Sequence, residues 1–288
     1  MRNSWRESIR GTVEESPSRI ACELAVLQVS LGKRRSGWES EVGVYDGRRA
    51  LVTGAGRGLG RSIVQQLAAA GAAVVLVART ESELSELAEL IRENGGSASI
   101  AVADIGSAIG LEAAAEAGPV DILINNAASL GTLKPTTELA REEWEALLAV
   151  NLLAPIGLTA RLIPAMLDQR WGRVVNVSAG IAAHPDAMIG GNAYAASKAA
   201  LEAHTINLAA EIASTGVTVN VFRPGMLDTS MQARIRDAAR RQTVVDATAE
   251  HYRAAHEAGE LGSADAAATV LIRRLESDDQ GQIWTLSS

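Results

Sequence analysis

Runs of apolar residues alternate with segments of helical periodicity from residue 47 to the end of the chain. Continuous apolar runs predict strands that are buried on both faces of a parallel sheet. The predicted strands are 49–54, 73–78, 98–103, 120–124, 173–177, 217–222 and 282–286. The helices predicted between them, from apolar positions at helical spacing, are 58–70, 80–94, 141–168, 193–214 and 263–276. This alternation predicts an α/β fold, a doubly wound parallel sheet of about seven strands with helices on both faces.

The first 46 residues lack a steady period of apolar positions, apart from one run at 20–31. We therefore predict an N-terminal extension at 1–46 and a single domain at 47–288. The composition of the extension favours a flexible tail, or upstream sequence translated from a wrongly chosen start. An arm that packs on a partner subunit is the alternative.

Composition and charge exclude several classes of protein. Hydrophobic residues at 47% and charged residues at 21% rule out disorder as the main state. The net charge of −7 argues against a nucleic-acid partner. A single cysteine excludes an internal disulfide framework, and the histidines lack ligand spacing, so we predict no metal site. Without a run of about 18 apolar residues or a convincing signal sequence, we expect a soluble, cytoplasmic protein with no membrane partner.

A glycine-rich turn, Thr53-Gly-Ala-Gly-Arg-Gly-Leu-Gly60, joins the first predicted strand to the first helix. Glycines are required where a Cβ would keep a pyrophosphate from the backbone, and a helix N-terminus offers N–H donors. The spacing is TGxxxGxG and not a strict GxGxxG, but its place between strand and helix predicts dinucleotide binding. The residues predicted to bind the cofactor here are Gly54, Arg57, Gly58, Leu59 and Gly60.

The second predicted strand ends at Ala78-Arg79-Thr80, without a carboxylate. Enzymes that use NAD place an acidic side chain near this position, on the ribose 2′-hydroxyl. Arg79 and Arg57 instead supply two guanidiniums, whose N–H groups match the oxygens of a 2′-phosphate. Two solvated surface arginines are the plain alternative. Because both fall where the adenine ribose is expected, we favour NADP(H) over NAD(H).

The sequence Tyr194-Ala-Ala-Ser-Lys198 places a phenol and an ammonium on one face of a predicted helix. A nearby positive charge favours the phenolate, so we expect the pKa of Tyr194 to fall toward working pH. Tyr194 is then a candidate general acid for a carbonyl under reduction. A Tyr/Lys pair at this spacing usually lies on the surface of a helix without a function. A catalytic role is favoured here only because of the other motifs in the chain.

These motifs, with others further along the chain, resemble the single-domain branch of the short-chain dehydrogenase/reductase family. The resemblance covers roughly residues 47–288. The shared motifs are TGxxxGxG at 53–60, Asp104-Ile105, Asn125-Asn-Ala127, Asn151, Ser178, Tyr194-xxx-Lys198 and Pro224-Gly225. The resemblance implies a Rossmann-like fold and hydride transfer between NADP(H) and a carbonyl or alcohol. The motif set also looks like that of the 3-oxoacyl-carrier-protein reductases.

The resemblance implies a role for each of four catalytic residues. Tyr194 gives a proton to the substrate oxygen, while Lys198 binds the nicotinamide ribose and lowers the pKa of Tyr194. Ser178 donates to the substrate carbonyl, and Asn151 holds a water in the relay that reprotonates Tyr194. The implied cofactor contacts are Asp104 and Ile105 at the adenine, Asn126 and Ala127 at its ribose, and Pro224, Gly225, Leu227 and Thr229 at the nicotinamide.

Several features depart from the family pattern or extend it. The family's Asn-Asn-Ala-Gly ends in Ala128 here, and the C-terminus lacks the usual Asp-Gly-Gly, which puts its subunit contact in doubt. The 15 residues between Ser178 and Tyr194 predict a distinctive loop over the substrate. His184 in that loop is a candidate substrate contact, although loop histidines are more often solvated. Residues 231–258 form either a solvated helix or, as we favour, a mobile lid.

The sequence predicts an NADP(H)-dependent oxidoreductase that interconverts a carbonyl and a secondary alcohol. A 3-oxoacyl thioester is one specific substrate, and a general ketone or alcohol is another. The alternative function is a non-catalytic sensor of NADP(H), which the retention of all four catalytic residues argues against. A dehydratase or epimerase fits the single-domain length poorly. The expected partners are a small-molecule substrate and, through helices 141–168 and 193–214, further copies of the chain in a homodimer or homotetramer.

Overall fold

The computed structural model describes residues 43–238 and 246–287. Apart from its last four positions, the predicted extension 1–46 lies outside these residues, as does the middle of the predicted lid. The strands are β1 Arg49–Thr53, β2 Ala73–Ala78, β3 Ser97–Val102, β4 Ile122–Asn125, β5 Gly172–Val177, β6 Val217–Arg223 and β7 Ile283–Thr285. The helices are α1 Gly58–Ala69, α2 Glu81–Glu93, α3 Ala108–Ala115, α4 Arg141–Leu148, α5 Ala154–Gln169, α6 Asn192–Glu211, α7 Ser230–Ala238, α8 Asp246–Glu257 and α9 Ala264–Arg274.

The seven strands run parallel in the order β3-β2-β1-β4-β5-β6-β7. The chain winds outward from β1 to β3, returns to place β4 beside β1, and then winds outward in the other direction. Val52 of β1, for example, pairs with Leu76 of β2 and with Ile124 of β4. The predicted fold class is confirmed. In such sheets a ligand crevice opens where the order reverses, here at the carboxyl ends of β1 and β4.

Alternate residues of the strands enter two hydrophobic cores, one on each face of the sheet. Val52 and Ile124 pack with residues of α1, α2 and α9 on one face. Leu51 and Leu123 pack with residues of α3 and α5 on the other. All four side chains are completely buried. The two cores hold β1 and β4 firmly and so fix the loops that follow them at the crevice.

The long helix predicted at 141–168 is a continuous helical segment, but a π turn at Ala149–Leu153 separates α4 from α5. Such turns redirect the side chains within them and often occur at functional sites. By length and composition, the whole segment Arg141–Gln169 is apolar enough to cross a membrane. That is weak evidence for a membrane span, because core helices have the same composition and Leu158 and Leu162 of this segment pack against the sheet.

Residues 43–46 pack on the domain, so the domain begins before the predicted boundary at residue 47. The side chain of Tyr45 is 3% exposed and belongs to the core on the α1–α2 face. Its hydroxyl donates to the carbonyl oxygen of Ile272 (3.0 Å), and its backbone N–H donates to that of Ala70 (2.9 Å).

Removal of residues 1–46 is therefore expected to destabilise the domain relative to removal of residues 1–42. Loss of a buried aromatic ring costs about 3 kcal/mol, which lowers the midpoint of thermal unfolding by roughly 6–12 °C in a domain of this size. Thermal unfolding of the two truncated chains, followed by circular dichroism, measures the difference. Tyr45→Phe in the longer chain keeps the ring and should lose only about 1 kcal/mol. Equal midpoints for the two chains would show that Tyr45 contributes nothing.

Candidate active site

A cavity of about 870 Å³ opens at the carboxyl edge of the sheet, where the strand order reverses. Its wall is formed by the glycine turn (residues 53–60) and by the loops that follow β2, β3, β4, β5 and β6. Every residue expected from the sequence to bind the cofactor lies in this wall, as do Ser178, Tyr194 and Lys198. Asn151 is the exception among the expected catalytic residues, because it is completely buried and does not reach the cavity surface.

The glycine turn leaves its backbone open where a cofactor phosphate would approach. Gly54 and Gly58 have φ angles of +67° and +54°, in the left-handed region that favours glycine. A Cβ on Gly60 would lie 2.2 Å from the carbonyl oxygen of Gly54, so only glycine fits there. α1 begins at Gly58, within the glycine turn, with no acidic residue in its first helical turn and no side-chain cap. Its free N–H groups and positive potential fit a pyrophosphate.

Arg57 and Arg79 are exposed at the β3 side of the cavity. Within the described part of the chain, neither guanidinium has an ion-pair partner. Asp104 and Ile105 complete this end, where the Asp104 carboxylate accepts the N–H of Gly106 (3.1 Å) and shapes the loop after β3. Two unpaired guanidiniums beside the glycine turn fit a further phosphate group.

The side chain of Asn126 braces the glycine turn. Its Nδ2 donates to the carbonyl oxygens of Thr53 (2.9 Å) and Gly54 (3.3 Å). In return, Thr53 Oγ1 accepts the backbone N–H groups of Asn126 (3.1 Å) and Ala127 (3.0 Å). These bonds join the ends of β1 and β4. Asn126 therefore supports the phosphate-binding turn, besides any contact that it makes with the cofactor ribose.

Tyr194 and Lys198 lie on one face of α6, and only 7% and 2% of their surfaces are exposed. Lys198 Nζ donates to the carbonyl oxygen of Val177 (2.8 Å) and lies 5.8 Å from the centre of the Tyr194 ring. Burial lowers the pKa of Lys198 to about 8, although the charge of Glu202 opposes this shift. The ammonium is thus held between the end of β5 and the phenol.

Burial raises the pKa of Tyr194 above its usual range, and the neighbouring phenol of Tyr252 acts in the same direction. The expected fall in the pKa of Tyr194 is therefore wrong for this structure. Desolvation of the buried phenol disfavours the phenolate, and the charge of Lys198 does not offset this effect. Tyr194 accordingly holds its proton at neutral pH, which a general acid must do before it donates.

Ser178, directly after β5, is 3% exposed, and its hydroxyl donates to Glu202 Oε1 (2.6 Å). Glu202 is itself buried and accepts hydrogen bonds from Arg223 Nε (2.8 Å) and Nη2 (2.6 Å). This ion pair is absent from the sequence-based prediction. Two features of the sequence could have indicated this ion pair. Glu202 follows Lys198 by four residues, on the same helix face, and Arg223 immediately precedes Pro224.

Asn151 lies in the π turn. Its Oδ1 accepts the N–H of Ser129 (2.7 Å), and its Nδ2 donates to the carbonyl oxygen of Ser129 (2.9 Å) and to Ser197 Oγ (3.1 Å). Ser197 Oγ donates in turn to the carbonyl oxygen of Tyr194 (2.7 Å). Asn151 thus ties the loop after β4 to the helix that carries Tyr194. A water held at Asn151 would have to bind an acceptor atom of this residue, because both amide hydrogens are already used.

The other end of the cavity is lined by buried apolar side chains that pack in one cluster with Tyr194. This apolar wall consists of Leu130, Leu147, Ile181, Met188, Ile235 and Tyr252. Ile235 and Tyr252 come from α7 and α8, so the described parts of the predicted lid lie over this end. Thr248 of α8 donates to the carbonyl oxygen of Ile189 (3.1 Å), which ties α8 to the loop after β5. His184 lies in the same loop, exposed at the cavity rim.

Comparison with known proteins gives matches in sequence, among them a family model and one relative. The family model for short chain dehydrogenase matches residues 48–240. The chain is also 36% identical to the 3-oxoacyl-acyl-carrier-protein reductase FabG of Escherichia coli (strain K12), over 199 residues. That match covers 68% of this chain and 80% of the relative.

Solved structures are also similar over most of the chain, among them the following two. A variant of actinorhodin polyketide ketoreductase with NADPH is 29% identical, with a TM-score of 0.74 over 83% of this chain and 95% of that one. A metagenomic short-chain oxidoreductase in complex with NADP is 28% identical, with a TM-score of 0.66 over 84% and 96% of the two chains. Fold, motif order and sequence matches agree that this chain belongs to the short-chain dehydrogenase/reductase family and is an NAD(P)-dependent oxidoreductase acting on CH–OH and C=O groups.

Proposed function

We propose that this protein reduces a ketone to a secondary alcohol with NADPH and, in reverse, oxidises the alcohol with NADP⁺. The observation that carries this proposal is the place of Tyr194, which lines the same cavity as the glycine turn and packs with the apolar wall. When bound, the cofactor supplies or accepts the hydride. The protein then supplies the proton, orients the substrate and excludes water.

Tyr194 is the proposed general acid in the reduction. Its raised pKa keeps the proton on the phenol oxygen until negative charge develops on the substrate oxygen. Lys198, with a pKa of about 8, is mostly protonated at neutral pH. Its charge stabilises the phenolate that proton transfer leaves behind. We also assign Lys198 to the nicotinamide ribose, since it stands between Tyr194 and the carbonyl of Val177.

NADP(H) is the proposed cofactor because Arg57 and Arg79 lie beside the glycine turn without ion-pair partners among the residues that the structure describes. Their guanidiniums offer several N–H groups to a 2′-phosphate, which NAD lacks. The two similar structures described above contain NADPH and NADP, although another similar structure, of a xylitol dehydrogenase, contains NAD⁺. The nicotinamide is assigned to the opposite part of the cavity, which is lined by Pro224, Gly225, Leu227 and Thr229.

The apolar wall favours a substrate whose carbonyl is attached to a hydrocarbon skeleton. Met226 and Met231 also line this end, and their flexible side chains adapt to irregular shapes. A sugar would leave hydroxyl groups against this wall without hydrogen-bond partners, which is costly. A 3-oxoacyl thioester, the substrate class in the name of the Escherichia coli relative, is the more specific candidate because its acyl chain would lie along the wall.

Three carbonyl compounds test the proposal: 1-tetralone, the 3-oxobutanoyl thioester of N-acetylcysteamine, and fructose. Loss of NADPH absorbance gives kcat/KM for each with the purified protein. We expect turnover of the first or the second, and at least about 100-fold lower kcat/KM for fructose. Tight binding of NADPH without turnover of any carbonyl compound would favour the alternative function, a sensor of NADP(H). No binding of either NADPH or NADH would contradict both functions.

We further propose that copies of the chain assemble through the helical segment 141–169 and α6. Leu153 and Ile206 are 58% and 44% exposed on these helices, and burial in a subunit contact would remove them from water. A homodimer or homotetramer in the cytoplasm remains our expectation. Light scattering of the purified protein measures the mass, and a monomer at micromolar concentration would contradict this assembly.

A further inference from the structure

The buried ion pair of Glu202 and Arg223 joins α6, the end of β6 and the end of β5 at the candidate active site. Glu202 on α6 accepts two hydrogen bonds from Arg223 at the end of β6, 2.8 and 2.6 Å long. Ser178, at the end of β5, donates its hydroxyl hydrogen to the same carboxylate (2.6 Å). The side chains of Glu202 and Arg223 are only 9% and 19% exposed. The pair thus connects Ser178 to the helix of Lys198 and to the strand that precedes Pro224.

This contact decides which hydrogen-bonding role is open to Ser178. A carboxylate that faces a guanidinium only accepts hydrogen bonds, whereas a serine hydroxyl has one hydrogen and two lone pairs. With its hydrogen directed to Glu202, Ser178 can accept a hydrogen bond but has none to donate. A ketone oxygen needs a donor at this position. An alcohol hydroxyl, which carries its own hydrogen, is matched by an acceptor.

We propose that Glu202 and Arg223 are positioning residues that set Ser178 as a hydrogen-bond acceptor and so favour bound alcohol over bound ketone. In the alcohol complex with Tyr194 still protonated, Tyr194 donates to the alcohol oxygen, the alcohol donates to Ser178, and Ser178 donates to Glu202. For oxidation, Tyr194 first loses its own proton, and the alcohol hydroxyl then turns from Ser178 to Tyr194 and gives its proton to the phenolate. In the ketone complex, Ser178 must leave Glu202 before it can donate to the carbonyl. The inference rests on the proposed function, because it requires Ser178 to meet the substrate oxygen.

The charge and the fixed orientation of Glu202 strengthen this preference. Hydrogen bonds to ionised acceptors are about twice as strong as those between neutral groups, and the bond from Ser178 is short. Arg223 stabilises a buried carboxylate that would be strongly disfavoured without a partner. Its two N–H donors lie in one plane and fix the rotation of the carboxylate. Oε1 of Glu202 therefore stays directed at Ser178.

The test compares Michaelis constants for ketone and alcohol in the wild type and in Glu202→Gln. The amide keeps the size of the side chain, and its one oxygen is drawn to Arg223, which releases Ser178 to donate. We expect KM for 1-tetralone with NADPH to fall and KM for 1-tetralol with NADP⁺ to rise. Their ratio should change by at least about tenfold, the lower limit for the effect of one hydrogen bond to a charged group. Ethyl 3-oxobutanoate and ethyl 3-hydroxybutanoate provide a second pair.

Two control variants separate positioning from a general loosening of α6. Thr205→Val removes the acceptor of another buried hydrogen bond on this helix, from Asn176 Nδ2 (2.9 Å), without touching Ser178. We expect it to leave the ratio of the two constants unchanged. In a Ser178→Ala background, Glu202→Gln should no longer change the ratio, because the group through which it acts is gone. Thermal unfolding and NADPH titration show whether each variant is folded.

The inference is overturned if Glu202→Gln raises both constants in the same proportion, or shifts their ratio equally with and without the Ser178 hydroxyl. If Glu202→Gln does not fold, Arg223→Lys tests the same point, since it keeps the charge but loses the two-pronged contact. A smaller shift in the same direction is then expected, and no shift overturns the inference. Wild-type protein that turns over neither pair would overturn the proposed function and this inference together, whereas turnover without a changed ratio overturns the inference alone.

Discussion

Tyr194→Phe is expected to lower kcat by about 10³-fold, within the usual range for the loss of a general acid. The ring is 7% exposed and packs in the apolar cluster, so phenylalanine keeps the packing and removes only the proton donor. Because the phosphate and adenine ends of the cavity are untouched, the Kd for NADPH should change by less than about fivefold, the worth of one neutral hydrogen bond.

Steady-state reduction of 1-tetralone and fluorescence titration with NADPH measure the two quantities on the same preparation. Tyr45→Phe is the matched control, because it removes a buried phenol oxygen that lies in the core, bonded to Ile272 and remote from the cavity. We expect the control to keep its kcat. A Tyr194→Phe enzyme with the kcat of the wild type would show that another group supplies the proton.

Arg79→Asp should weaken NADPH binding by about 100-fold, while NADH binding stays within about threefold of the wild type. The substitution removes charge-assisted hydrogen bonds to the 2′-phosphate and places a carboxylate against it. The same carboxylate is suited to the 2′-hydroxyl of NADH. Arg79 is exposed and has no ion-pair partner in the described residues, so the fold should tolerate the change.

Titration of both cofactors separates phosphate recognition from a general effect of charge. Arg141→Asp makes the same change of charge at a side chain that is 85% exposed and lies outside the cavity wall. It should leave the preference for NADPH intact. Equal losses of NADPH and NADH affinity in Arg79→Asp would show that Arg79 does not read the phosphate.

The fold and the cavity wall were accessible from sequence because both depend on local patterns. Apolar runs broken by helices require a covered parallel sheet, and a strand–glycine–helix turn such as 53–60 requires an open backbone. Each of these patterns can be recognised within a short segment of the sequence. The sheet then brings the ends of β1, β4, β5 and β6 together, so motifs distant in sequence meet in one cavity.

The electrostatics of the site could not be predicted in the same way. The spacing of Tyr194 and Lys198 indicates attraction, but the degree of burial, which decides the pKa of Tyr194, depends on what the rest of the chain packs around it. The contact of Ser178 with Glu202 joins β5 to α6. Arg223 reaches the same carboxylate from β6. The charges of Glu202 and Arg223 neutralise each other only because the assembled sheet brings the two side chains together.

Transfer of deuterium from NADPH deuterated at both C4 positions tests the proposed reaction most directly. The purified protein is incubated with this cofactor and 1-tetralone or the 3-oxobutanoyl thioester, and the alcohol is analysed by mass spectrometry. We expect one deuterium at the carbinol carbon with the wild type, and about 10³-fold less alcohol over the same time with Tyr194→Phe. Alcohol without deuterium, or bound NADPH that reduces neither compound, would contradict hydride transfer at this site.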